Sequence, residues 1–112
     1  SKYHFIPATQ MYTIRGSSYK KYPWAAFNLY DAFVKSKRRA EETLNDRIPS
    51  LMVFGRDYMA QTRKIFDGDP YPYGVEANRP MLTTIIDYLY EQHLITVKPK
   101  VEELFAPSVV SL

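Results

Sequence analysis

Tyr71, Tyr73, Glu76, Asn78 and Arg79 fall within one short stretch, and their types and spacing can do chemistry. They stand beside the expected start of a helix, whose free N–H groups and positive dipole end suit an anion. Arg79 can hold a carboxylate through two parallel hydrogen bonds. The same residues also have a purely structural use. Glu76 and Arg79 can pair with each other, Asn78 can cap the helix, and the tyrosines can wedge the turn against a core. Tyrosine is abundant, with ten residues beside six phenylalanines and one tryptophan. Its apolar ring and polar tip suit a ligand pocket, an interface or a half-buried shell.

The elements that must position these residues follow from periodicity and from the breakers. Pro70 and Pro72 hold their neighbours extended, so no helix is expected before Gly74. Asn78 as N-cap and Pro80 in the first turn then predict a helix with apolar positions Leu82, Ile85, Ile86, Leu89 and Tyr90, and with Asp87, Glu91 and Gln92 off that stripe. Upstream, Pro23 opens a helix expected to reach about Leu44, with Trp24, Phe27, Tyr30, Phe33, Val34 and Ala40 at helical spacing. Its basic cluster, Lys35, Lys37, Arg38 and Arg39, is followed at once by Glu41 and Glu42 and reads as a solvated face. Asn45 to Ser50, containing Pro49, reads as a break. Leu51 to Phe54 fits a strand or a buried helical turn equally well. Arg56 to Phe66 reads as a third helix, closed at Asp67-Gly68.

The two ends are less regular. Thr96 to Leu112 reads as connection with one short helix, started by Pro99, Glu102 and Glu103 and stopped by Pro107. Gln10 to Arg15 has strand composition between Pro7 and Gly16, and only Thr96 to Lys98 offers a weak partner. One strand makes no sheet, so the segment predicts strand exchange or a homodimer if the chain folds alone. The fold class expected is mainly α: three main helices, a short C-terminal helix and one N-terminal strand, in a single unit spanning residues 1–112.

Composition narrows the function. The chain has 112 residues, 46% of them hydrophobic, enough for one core. It has no cysteine, which rules out disulfides and thiol catalysis. A net charge of +3 is too small to argue for nucleic acid. No apolar run is long enough to span a membrane and no signal-like start is present. A cytoplasmic location is expected, or a periplasmic one if a parent protein carries a signal peptide. The start at Ser1 rather than Met reads as truncation or a cleaved tag. His4 and His93 lack metal-ligand spacing, so neither metal nor other cofactor is expected. Met52, Met59 and Met81 read as gap-filling core residues.

Three motifs, in order, carry a family resemblance: Gly68-Asp69-Pro70-Tyr71-Pro72-Tyr73-Gly74-Val75-Glu76-Ala77-Asn78-Arg79, then Tyr88-Leu89-Tyr90-Glu91-Gln92, then Glu102-Glu103-Leu104-Phe105-Ala106-Pro107. With Tyr22-Pro23-Trp24 upstream, the chain resembles the C-terminal end of the 4,5-dihydroxyphthalate decarboxylase family. That resemblance implies a parent of the α/β, type II periplasmic-binding-protein-like fold, with two lobes and a pocket between them. It implies non-oxidative decarboxylation of an aromatic dicarboxylate, with Arg79, Tyr71, Tyr73 and Gln10 as substrate-binding candidates. Tyr71 stands where the family leads one to expect tryptophan, and Gln10 where a histidine is common. An amide does not titrate near neutrality, so Gln10 cannot replace a proton-transferring histidine. The catalytic groups are expected in sequence beyond this chain. Two other classes fit the same residues, a solute-binding protein of a transporter and a stand-alone helical interaction module.

Overall fold

The computed structural model describes residues 5–112, apart from the side chains at 45, 46 and 49–51; His4 lies outside it. Four α-helices follow in chain order: α1 (Gly16–Lys21), α2 (Trp24–Leu51), α3 (Gly55–Phe66) and α4 (Val75–Glu91). Two 3-10 turns, Val101–Leu104 and Pro107–Val109, complete the chain. α2 packs against α1, α3 and the second 3-10 turn, whereas α4 packs against the first. The fold is mainly helical, and among the described residues no helix is long and apolar enough to cross a membrane.

Gln10 to Arg15 is not a strand. It forms no regular element, it is exposed apart from the half-buried Ile14, and no β-strand occurs among the described residues. Strand composition is a preference for a pleated, half-buried surface, and nothing here offers that surface. What holds the segment is the Tyr12 ring, stacked on Phe33 of α2 at 4.3 Å between centroids. Gly16–Lys21 forms α1, with Lys20 and Lys21 in its last turn where they complement the helix dipole.

Asn45 to Ser50 does not break α2, which continues for 28 residues. Pro49 removes one backbone donor close to the end of a long, already propagating helix, and Met52 N–H still donates to Ile48 O at 3.0 Å. The stop comes at Met52 to Phe54, where Phe54 turns left-handed at φ 64°. Leu51–Phe54 is thus not a strand, and Met52, Val53 and Phe54 lie open to solvent rather than in a buried turn. Gly55 makes the reversal fit: a Cβ there would lie 2.8 Å from Ile48 Cγ2 and 2.9 Å from Ile48 O. α3 then ends as expected, with Asp67 at φ 52°, Gly68 at φ 111° and Gly68 N–H donating to Arg63 O at 3.0 Å.

α4 begins at Val75, ahead of the expected start, so Asn78 is not its N-cap and Pro80 lies inside the helix. The reason is burial. Val75 is among the most buried side chains of the core, with Met81, Leu82, Ile86 and Val101, against which Phe5, Ile95 and Phe105 pack. Seating Val75 outweighs the one helical bond that Pro80 cannot donate. Beyond this cluster the only other buried apolar residue among those described is Ala26.

The core is unfinished. The chain exposes 9335 Å², nearly half as much again as the ~6,400 Å² expected of a compact monomer of its mass. Its radius of gyration is 17.1 Å, against about 13 Å for a compact domain of this length. Trp24, 62% exposed at the start of α2, and Phe27 one turn later typify the apolar area left uncovered.

Candidate functional site

The turn from Asp67 to Gly74 and the first two turns of α4 form the candidate site, and a residue of α2 holds it in place. Lys37 donates from Nζ to Asp69 Oδ2 and to Tyr71 O, each at 2.5 Å, and lies 4.6 Å from the centre of the Tyr73 ring. Glu41, one helical turn on, approaches at 3.9 Å. Lys37 is therefore a clamp. Its side chain is only 21% exposed, unlike Lys35 and Arg38 beside it, so the basic cluster is not a uniformly solvated face. Periodicity alone held the signal, since Lys37 shares the face of Ala26, Tyr30 and Phe33, but a lysine on an apolar face does not announce its partner.

Asp69 also accepts from Tyr71 N–H at 2.9 Å, fixing the turn locally. Around the clamp lies an open, shallow depression of about 340 Å³, lined by Tyr30, Val34, Lys37, Arg38, Glu41, Asp69 and Tyr73. Tyr71 and Tyr73 thus meet at Lys37, whereas Arg79 is engaged elsewhere and Gln10 lies exposed ahead of α1.

Asn78 caps the turn rather than the helix. Its Nδ2 donates to Pro72 O at 2.7 Å and to Gly74 O at 2.8 Å, tying the proline-rich turn to the first turn of α4. Replacing Asn78 with alanine leaves both carbonyls half-buried, and a loss of about 2 kcal/mol is expected in denaturant unfolding. Aspartate, which accepts but does not donate, should fail to restore it.

Arg79 is held by two carboxylates. Its Nε donates to Glu76 Oε2 at 3.0 Å and its Nη2 to Glu76 Oε1 at 2.5 Å, while Nη2 also reaches Glu102 Oε1 at 2.8 Å. The second pair ties α4 to the first 3-10 turn, where Lys100 N–H donates to Glu103 Oε2 at 2.9 Å. The Arg79 hydrogen bond holds the Glu76 carboxyl below its ordinary range, against a smaller opposing effect of desolvation. Glu102 is lowered first by its own backbone N–H and then by Arg79. Arg79 itself is raised, chiefly by Glu76 and then by Glu102. Lys98 is raised by its hydrogen bond to Asp87.

These shifts fix the sign of a pH dependence. A carboxyl with a depressed folded pKa binds fewer protons folded than unfolded, so its stabilisation is full above the unfolded value, near 4.5, and is lost as pH falls through the folded value. For Lys98 the order reverses, with stabilisation present below 10.5 and lost as pH rises through the raised value. Thermal unfolding across pH should therefore show a plateau at neutrality and a fall below about 4.5 that shrinks in Glu102→Gln.

All four groups move away from neutrality, so Glu76 and Glu102 stay ionised and Arg79 and Lys98 stay charged at working pH. They can orient a charged ligand but cannot trade protons with it. His93 ends α4 with φ 57°, as expected for that position, and Leu94 N–H donates to Leu89 O at 2.9 Å. Its imidazole is exposed and remote in role from the clamp. No protein-family model, no curated protein and no solved structure matches the chain.

Proposed function

We propose that the chain is the C-terminal part of a cofactor-independent lyase resembling the 4,5-dihydroxyphthalate decarboxylases, acting on an aromatic dicarboxylate. The observation that carries the reading is the order of its motifs: Tyr22-Pro23-Trp24, Gly68 to Arg79, Tyr88 to Gln92, and Glu102 to Pro107. The unfinished core supports it, since one piece of a two-lobed protein leaves apolar area for the rest to cover. In such a reaction the bond from ring carbon to carboxylate breaks, carbon dioxide leaves, and the electron pair left on the ring carbon takes up a proton. This chain contributes binding. Tyr71 and Tyr73 offer aromatic surface, Gln10 an amide, and Arg79 a guanidinium that exchanges Glu102 for a substrate carboxylate. The proton donor comes from the other lobe.

Carbon dioxide release from 4,5-dihydroxyphthalate by the full-length parent tests the reading; well-folded parent that releases none would remove it. The 112 residues alone should be inactive. In the parent, Arg79→Ala should raise KM by roughly 10- to 100-fold, the size of a lost charged hydrogen bond, while leaving the unfolding midpoint little changed because its ion pairs are solvent-exposed. One observation favours a second reading. The perturbed groups all lie away from neutrality, which suits a site that holds its ligand unchanged, as in a transporter's solute-binding protein. Recovery of unaltered dihydroxyphthalate from a saturable complex would select it.

A further inference from the structure

We infer that the surface carrying Arg15, Lys20, Lys21, Tyr22, Trp24 and Phe27 docks on an anionic lipid bilayer, lying on it without crossing it. The inference does not rest on the lyase reading, and its test uses no substrate. Charge is divided unevenly along the chain. All 12 acidic residues lie after residue 30 together with 11 of the 15 lysines and arginines, so residues 1–30 carry four positive charges and no carboxylate side chain, while the remainder stands at −1. Such an asymmetry marks a segment that meets a polyanion or a charged membrane. Arg15, Lys20 and Lys21 are exposed, and among the described residues none of the three forms an ion pair. Asp31, the first acid that α2 reaches, is already paired with Lys35 at 2.6 Å. The positive charge at this end is therefore left for a partner.

The aromatic residues say which partner. Trp24 is 62% exposed and Phe27 47%, whereas Ala26 between them is buried, so both rings lie off the packed side of α2. Lys21 Nζ stands 5.2 Å from the centre of the Tyr22 ring, and Tyr22 meets Trp24 edge-on at 5.9 Å between centroids. Cation, phenol and indole thus form one contiguous surface. Tryptophan and tyrosine settle at the headgroup level of a bilayer, with the ring against the acyl boundary and the polar tip wet, while lysine stems lie along apolar surface and raise their charges to the phosphates. Single-stranded nucleic acid asks instead for open ring faces on which bases can stack. Here Tyr22 already engages both Lys21 and Trp24, which suits a wedge entering an interface better than a stacking platform.

Trp24 is the one tryptophan of the chain, so its fluorescence reports on this surface alone. Titration of the 112-residue chain with vesicles of phosphatidylcholine and phosphatidylserine should move its emission to the blue, and brominated acyl chains should quench it. A basic side chain close to an anionic leaflet contributes about fivefold in partitioning, so phosphatidylcholine alone should bind roughly 100-fold more weakly. By the same measure, Lys20→Ala/Lys21→Ala should weaken cosedimentation with the anionic vesicles about 25-fold, with helical circular dichroism retained. Molar sodium chloride, which shortens the Debye length to about 3 Å, should release the native chain. Should the double variant fail to fold, this release and the Trp24 emission still decide. Equal binding to the two kinds of vesicle would overturn the inference, because the charges would have no part in it. So would cosedimentation without a change in Trp24 emission, since another surface would then be the one that docks. A response of Trp24 to a single-stranded oligonucleotide but to neither vesicle would overturn it in favour of nucleic acid.

Discussion

Gly74→Ala is expected to lose about 3 kcal/mol or more of stability, seen as a lowered midpoint in urea, because two separate demands meet at this residue. The backbone there has φ 104°, a region that L side chains rarely enter. An added Cβ would also lie 2.5 Å from the carbonyl oxygen of Leu112 and 3.5 Å from the Tyr30 hydroxyl. The first demand is local and the second is tertiary, and Gly68 separates them. Gly68 has φ 111°, yet nothing lies within 4 Å of its would-be Cβ. Gly68→Ala should therefore show the conformational cost alone, about 1–2 kcal/mol. If the two variants were equally destabilised, the C-terminal residues would not be packed on the turn.

Ile86→Ala should be similarly severe, about 3 kcal/mol, since Ile86 is 4% exposed in the middle of the α4 cluster. Its neighbour Ile85 is 43% exposed, and Ile85→Ala should cost about 1 kcal/mol or less. The contrast between adjacent isoleucines reads the rotation of α4 directly. It also tests whether the small cluster of Val75, Met81, Leu82, Ile86 and Val101 is the cooperative heart of the molecule. A loss confined to α4, with α2 still helical by circular dichroism, would show that the two helices melt independently.

What could be read ahead of the structure was local chemistry. The C-cap at Asp67-Gly68 depends on a handful of consecutive residues and stands where the chain alone placed it, whereas the left-handed turn at His93 was expected from the family resemblance. The bodies of α2, α3 and α4 are equally legible, because a 3.6-residue period survives whatever the helix packs on, but of the expected α4 stripe Leu82 and Ile86 are buried and Leu89 half-buried while Ile85 and Tyr90 are exposed. Boundaries fared worse. Asn78 and Pro80 have every property of a helix start, yet Val75 needs to be buried and draws the helix past them to Gly74. Pro49 has every property of a break, yet α2 runs through it until Gly55 can turn under Ile48.

The partners of the charged residues were legible only where they were neighbours in sequence. Arg79 with Glu76 is a one-turn pair and could be anticipated; Arg79 with Glu102 could not, nor could Lys37 with Asp69 and Tyr71 O. Sequence by itself determined the bodies of α2, α3 and α4 and the left-handed close of α3 at Asp67-Gly68, since each is set by sterics and hydrogen bonding within a few residues. Tertiary structure alone decided that Lys37 clamps the tyrosine turn, that Gly74 must admit Leu112, and that Gln10–Arg15 finds no strand partner among the described residues. Those outcomes turn on which distant surfaces meet, and a long-range contact is chosen by the packing of the whole chain, not by the residues that make it.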